Sequence, residues 1–137
     1  MRLWFVTMCV LMLGSCADGD ASCVDPSAEL PPPGSNLKLR APVSVAEGLE
    51  VIISDVVIPP NVTVPRHYHP GEEFLLVISG SAVQVEEGRE DLLVSAGEAY
   101  VIPPRAIHAP RGGPEGGRAI VFRVHVEGEE ERTLVPE

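Results

Sequence analysis

The side chains of this sequence best suited to chemistry are three histidines and a carboxylate. His67, His69 and Glu73 lie within His67-Tyr68-His69-Pro70-Gly71-Glu72-Glu73, and His108 follows later in the chain. Successive side chains of a β-strand point to opposite faces, so the two histidines of a His-x-His segment project side by side. Pro70-Gly71 reads as a chain reversal that returns Glu73 to their neighbourhood. Imidazole nitrogens with one carboxylate oxygen suit a divalent first-row metal ion. Three or four such ligands on an octahedral ion leave positions open for water, substrate or dioxygen. The expected metal ligands are therefore His67, His69, Glu73 and His108.

Other chemistries find little support. There is no Gly-x-Ser-x-Gly elbow to carry a nucleophilic triad, and no glycine-rich phosphate loop. His125 sits in the alternating stretch from Val121 to Val126, where it shares a face with Arg123 while Phe122, Val124 and Val126 take the other. That histidine reads as solvent-facing, or as a support to the site at best. Glu72 should point away from Glu73 on the same strand and into solvent. Tyr100 is a candidate donor in the pocket and Arg105 a candidate positive charge at its mouth, with packing and plain surface positions as the competing readings. The run from Glu127 to Glu131 reads as an exposed acidic end.

The elements that must position these residues are strands. Apolar runs at Leu49 to Ile58, Phe74 to Ile78, Ala82 to Val85, Leu92 to Val94, Tyr100 to Ile102 and Ala119 to Val126 are short and β-branched, with turn signals between them. No helical period stands out, and the spacing predicts an all-β sandwich or barrel. With Phe 3, Tyr 2 and Trp 1, the core is expected to be aliphatic. The runs at Ile52 to Ile58 and Phe74 to Ile78 are more continuous than half-exposed strands require, which predicts burial by a second subunit in a homodimer.

The histidine segments resemble the motifs of the cupin family. Its first motif, Gly-x5-His-x-His-x3-Glu-x6-Gly, runs here from Asn61 through His67, His69 and Glu73 to Gly80, and only the opening glycine differs. Asparagine is among the non-glycine residues that most readily accept positive φ. The second motif matches at Gly97, Pro103 and His108, with Arg105 in place of the inner glycine and Gly112 in place of the final asparagine. The resemblance covers roughly residues 38 to 127. It implies a single-domain jelly-roll β-barrel over residues 38–137 and one bound divalent transition metal ion, for which family habit favours iron, manganese or nickel.

Composition sets the remaining bounds. A chain of 137 residues supports one domain. Its formal net charge of -10 argues against nucleic acid and anionic membrane surfaces as partners, because both require a basic footprint. Met1-Arg2, the apolar run Leu3 to Leu13 and the small residues Gly14-Ser15-Cys16-Ala17 form a signal-like segment. Leu13-Gly14-Ser15-Cys16 resembles a bacterial lipobox, which would remove residues 1–15 and place a lipid on Cys16; cleavage after Ala17 is the rival reading. Residues 16–37 read as a flexible, proline-containing linker. Cys9, Cys16 and Cys23 all precede the expected barrel, so neither thiolate ligands nor disulfides hold the domain. An exported chain that acquires its metal outside the cytoplasm meets the preference of such sites for copper and zinc, against the family habit.

Three functions fit these readings. The first is a metal-dependent, dioxygenase-like enzyme acting on a small organic substrate. The second is a redox-neutral decarboxylase, isomerase or lyase, and the third a non-catalytic module that binds a metal or small ligand at the cell envelope. Membrane attachment is expected only through the lipid.

Overall fold

A computed structural model describes residues 29–136. The signal-like segment and its possible lipid site Cys16, together with Cys9 and Cys23, lie outside these residues. Eight strands follow one another: β1 (Gly34–Pro42), β2 (Leu49–Ile58), β3 (His67–Tyr68), β4 (Glu73–Gln84), β5 (Leu92–Ser95), β6 (Ala99–Ile102), β7 (Arg111–Val126) and β8 (Thr133–Leu134). The main sheet has the order β1-β2-β7-β4-β5, with β6 also pairing β4, and β3 pairs with β8 in a small second sheet. All pairs are antiparallel and no helix occurs among the described residues, which is the all-β jelly roll expected.

Three elements depart from the sequence reading. β1 begins at Gly34, inside the stretch expected to be linker, because residues 34–42 pair along β2. Two predicted runs, Phe74 to Ile78 and Ala82 to Val85, join into the single long β4. Its ladder with β7 shifts register between Val77 and Ser79 and again between Gly80 and Ala82. Such bulges bend a strand, and the bend lets β4 serve β6 with its first half and β5 with its second.

β7 in turn starts at Arg111, well before the predicted Ala119, and runs through a glycine-rich segment that looks like a turn. The glycines are there for close approach. A Cβ on Gly113 would lie 2.0 Å from Ser81 Oγ, and one on Gly117 2.4 Å from the Ser81 carbonyl oxygen.

The interior is only partly the aliphatic core expected. Ile52, Ile58, Val77, Val94, Ile102 and Val121 are buried, but so are Ser54, Asp55, Glu73, Gln84, Arg123 and His125, besides the three histidines of the site. On the opposite face of the same sheet Phe74, Leu76, Ile78, Val101 and Phe122 are exposed.

Candidate metal centre

The local backbone brings His67 and His108 together first. His67 N–H donates to the His108 carbonyl at 3.0 Å and His108 N–H to the His67 carbonyl at 2.9 Å, so the two rings lie side by side with centroids 4.2 Å apart. His69, two residues along, points the same way, and its ring centroid is 5.0 Å from that of His67.

Each ring is oriented from behind by a backbone carbonyl. His67 Nδ1 donates to Pro65 at 2.7 Å, His69 Nδ1 to Glu131 at 2.5 Å and His108 Nδ1 to Ala106 at 2.9 Å. A carbonyl oxygen can only accept, so the hydrogen sits on Nδ1 and the Nε2 lone pair faces the centre. One donor atom from each ring lies within 4.8 Å of the other two. His69 Nε2 and His108 Nε2 are buried without a hydrogen-bond partner among the described residues. Leaving buried polar atoms unpaired is costly, and converging imidazole lone pairs held by outer carbonyls suit a divalent metal ion. The residues present fit such an ion.

Glu73, the expected fourth ligand, is buried at the same place but is not one of the three mutually close donors. Its position depends on the Pro70-Gly71 turn. Val124 N–H donates to the Glu72 carbonyl at 3.0 Å, and a Cβ on Gly71 would sit 1.7 Å from the Val124 carbonyl oxygen, so only glycine fits. Glu73 Oε2 accepts from Arg123 Nε at 2.6 Å. It also lies 3.1 Å from His69 Nε2, off the direction of a hydrogen bond. A buried guanidinium needs an anion, and Glu73 supplies it.

Electrostatics leave the site ready for a cation at neutral pH. Burial, followed by repulsion from His108, pushes His67 down to about 4. Burial also pushes His69 down to about 4, against the pull of Glu73. For Glu73, burial acts to raise the pKa, but Arg123, His69 and His108 outweigh it and hold the carboxyl below its ordinary value. The two histidines are thus neutral while the carboxylate is ionised.

The acidic segment after β7 is exposed from Glu127 to Glu130, as expected, but Glu131 is half-buried and the segment is tied down. Val135 N–H donates to the Arg66 carbonyl at 2.9 Å, and β8 pairs with β3 beside His67. Besides its carbonyl on His69, Glu131 accepts from Arg123 Nη1 at 3.2 Å through Oε1 and from Arg40 Nη2 at 3.0 Å through Oε2. Arg40 also pairs with Glu50. A chain of alternating charges therefore ties this strap from the metal centre to the edge strand β1.

Several expectations need correction. His125 is buried, not solvent-facing; its Nε2 donates to the Glu129 carbonyl at 3.1 Å and its Nδ1 has no partner among the described residues. The alternation along β7 was read correctly, but the Arg123–His125 face turns inward. Tyr100 is not in the cavity wall: its hydroxyl donates to Glu86 Oε1 at 2.5 Å and accepts from Arg89 Nη1 at 3.1 Å. The bond to Glu86 raises the phenol above its ordinary pKa. Arg105 is exposed and likewise outside the cavity wall; its N–H donates to the His69 carbonyl at 2.8 Å and its guanidinium faces Glu129 at 3.6 Å. Asn61 (φ 58°) and Arg105 (φ 61°) both adopt the left-handed conformation at positions where the motifs carry glycine.

Sequence reading missed the roles of Arg123 and Glu131. Only Arg123, a lone cation among apolar strand residues, offered a signal. A cavity of about 820 Å³ adjoins the three histidines, with Leu75, Ala82, Gln84, Val121 and Arg123 in its wall.

Residues 54–122 match the family model of the cupin domain. No functionally curated protein matches the chain. Among solved structures, a cupin-like protein of Thermotoga maritima is 23% identical over 64% of this chain and 65% of its own, with a TM-score of 0.55. A conserved protein of Klebsiella pneumoniae with a double-stranded β-helix domain is 19% identical over 79% of this chain and 91% of its own, with a TM-score of 0.54. The DMSP lyase DddQ of Ruegeria pomeroyi is 23% identical over 66% of this chain, with a TM-score of 0.54, and the match spans only 44% of that lyase.

Proposed function

Because the chain belongs to the cupin family, we propose that it is a metal-binding protein whose centre, His67, His69 and His108, acts on a small organic molecule held in the adjoining cavity. The observation that carries this reading is the pair of buried, partnerless ring nitrogens on His69 and His108. A bound ion would supply Lewis acidity toward a substrate oxygen and, if redox-active, electrons to reduce dioxygen. Around it the protein orients three rings through backbone carbonyls, holds Glu73 ionised against Arg123, and closes one side with the Glu131 strap.

Oxygenase-type chemistry fits these residues better than a decarboxylase, isomerase or lyase, which needs a positioned acid or base. Tyr100 is spent on Glu86, and Glu73, held ionised by Arg123, is a weak base. Iron, manganese, nickel, zinc and copper all suit the donors. We further propose that the protein is exported, on the strength of its signal-like N-terminus, and works as a homodimer through its exposed apolar face.

Elemental analysis of the purified protein, with thermal melting and oxygen uptake against a substrate panel, tests the reading. Wild-type protein should hold about one ion per chain. His69→Ala should lose the ion and melt lower, since metal bound only by the folded state stabilises it. His125→Ala should melt lower too, because that ring is buried, but keep its metal. Equal metal loss in both variants would remove the three-histidine centre, and metal retention without turnover of any substrate would leave a binding module instead of an enzyme.

A further inference from the structure

In a chain with 20 acidic and 10 basic side chains, a cation without an anion is the unusual case. Arg132 is that case. Among the described residues it pairs with no carboxylate, whereas every other lysine and arginine there does. Its place is the second observation. Arg132 lines the cavity beside the histidines and is exposed, so a ligand can reach it. The β3–β8 register sets Tyr68 opposite Thr133 and His67 opposite Leu134, and one step further brings Arg132 to the level of His69. Its charge is felt at His67, whose ring is lowered chiefly by burial and by His108, and further by this guanidinium.

The other charges of the wall limit the anion it can take. Arg123 is answered by Glu73 at Nε and by Glu131 at Nη1, two carboxylates for one cation. Its Nη2 has no partner among the described residues and offers a hydrogen-bond donor without net charge. Glu130 lines the wall as well. Arg123 and Arg132 thus face Glu73, Glu130 and Glu131, a balance of one negative charge that a divalent ion on the three histidines turns to one positive. A single carboxylate group satisfies that balance, and a guanidinium meets it with two parallel N–H donors. A phosphate, with about 1.5 to 2 charges, would exceed it. Val56, Val64, Leu75, Ala82 and Val121 give the rest of the ligand a hydrocarbon surface.

We propose that Arg132 binds the carboxylate of a small organic acid whose apolar body lies in the cavity beside the metal centre. This inference rests on the reading that the three histidines hold a divalent ion and that the cavity takes a small organic molecule. It adds the chemical class, a monocarboxylate with a hydrocarbon body. Arg132 positions and selects the ligand and takes no part in bond making.

Ligand-observed NMR on the full-length protein tests it with cyclohexanecarboxylate, with cyclohexanecarboxamide, which keeps the shape but lacks the charge, and with cyclohexyl phosphate. Wild-type protein should bind the carboxylate at least about tenfold more tightly than the carboxamide, the low end for a hydrogen bond to a charged group because Arg132 is exposed. Arg132→Gln should weaken the carboxylate about tenfold and change the carboxamide by less than about twofold. Arg132→Lys, which keeps the charge but not the paired donors, should lose less than about threefold. Arg111→Gln removes an equal charge outside the cavity wall and should alter neither. Carboxylate affinity unchanged in Arg132→Gln, an equal loss in Arg111→Gln, an equal loss of carboxamide binding, tighter binding of the phosphate, or no binding of any probe to the wild type would overturn the proposal. Metal content and melting temperature, measured on the same samples, should match wild type in Arg132→Gln. Loss of the ion in that variant would make Arg132 a support of the metal centre and also overturn its role as an anchor. Wild-type protein without metal would defeat the proposed metal centre, while the Arg132→Gln comparison would still decide the role of Arg132.

Discussion

Strands β4 and β7 carry two faces built on opposite rules. Inward, Glu73, Arg123 and His125 are buried, with Ser54 on β2 beside them. Outward, Phe74, Leu76 and Phe122 are exposed, and the Phe74 and Phe122 rings meet edge to face with centroids 6.2 Å apart. In an ordinary half-buried sheet the apolar face is covered and the polar one wet. Here the polar face is covered because its charges satisfy one another and surround a site, while the apolar face is left exposed. Burying ions costs more desolvation than a good pair returns unless every group is partnered. The inner face is therefore tuned for its site at the expense of stability, and breaking it should hurt most.

Arg123→Ala is the most severe test of that difference. It removes the guanidinium from Glu73 and Glu131 together and leaves a buried carboxylate unpaired. The expected loss is about 3–5 kcal/mol of unfolding free energy, measured by urea denaturation. Phe122→Ala, one residue away on the outer face, should cost clearly less because its ring is already 36% exposed. If Phe122→Ala proved the more damaging change, the assignment of inner and outer faces would be reversed.

Acid should find the same weakness more gradually. The His67 and His69 rings titrate near 6.5 when free but are lowered to about 4 in the folded protein. Between those values the unfolded chain binds more protons, so stability falls as pH falls. It is fully present above about 6.5 and is lost progressively toward 4. For metal-free protein the urea midpoint should drop through this window, with a slope approaching two protons in wild type and about one in His69→Ala. A midpoint that stays flat from pH 6.5 to 4.5 would show that the rings are not buried neutral.

Much of the site was legible from spacing. His67 and His69 share a strand face, and the Pro70-Gly71 reversal returns Glu73 to them, because strand alternation and turn chemistry are local. Asn61 was expected to tolerate positive φ in place of glycine, and it has φ 58°. The sense of the β7 alternation was not legible. Period two separates Arg123 and His125 from Phe122 and Val124, but which pair turns inward depends on Glu73 and Glu131, 50 and 8 residues away from Arg123. The length of β7 was hidden for a similar reason. Its glycines look like a turn until the bent half of β4 packs against them at Ser81.

The outer face provides the mildest change in stability and the sharpest change in assembly. Phe74, Leu76, Ile78, Val101 and Phe122 are each between 36% and 48% exposed. Together they present roughly 400 Å² of apolar surface if each side chain spans about 150–250 Å². That is as large as the biggest patch a monomer usually shows, and about half of what one partner contributes to a standard interface. Two chains each carrying a net charge of -10 repel, so they associate most readily through a surface without charges, and these five side chains provide one. A second copy is the occupant this favours, with the same residues facing each other across a two-fold axis. Phe74→Glu would place two carboxylates at that contact while removing no buried group. Sedimentation should therefore show a dimer for the wild type and a monomer for Phe74→Glu, with the monomer's own unfolding free energy changed by less than about 1 kcal/mol and its metal content unchanged. A wild-type monomer at tens of micromolar, or a Phe74→Glu dimer as tight as wild type, would mean that the apolar face is not where copies of this chain meet.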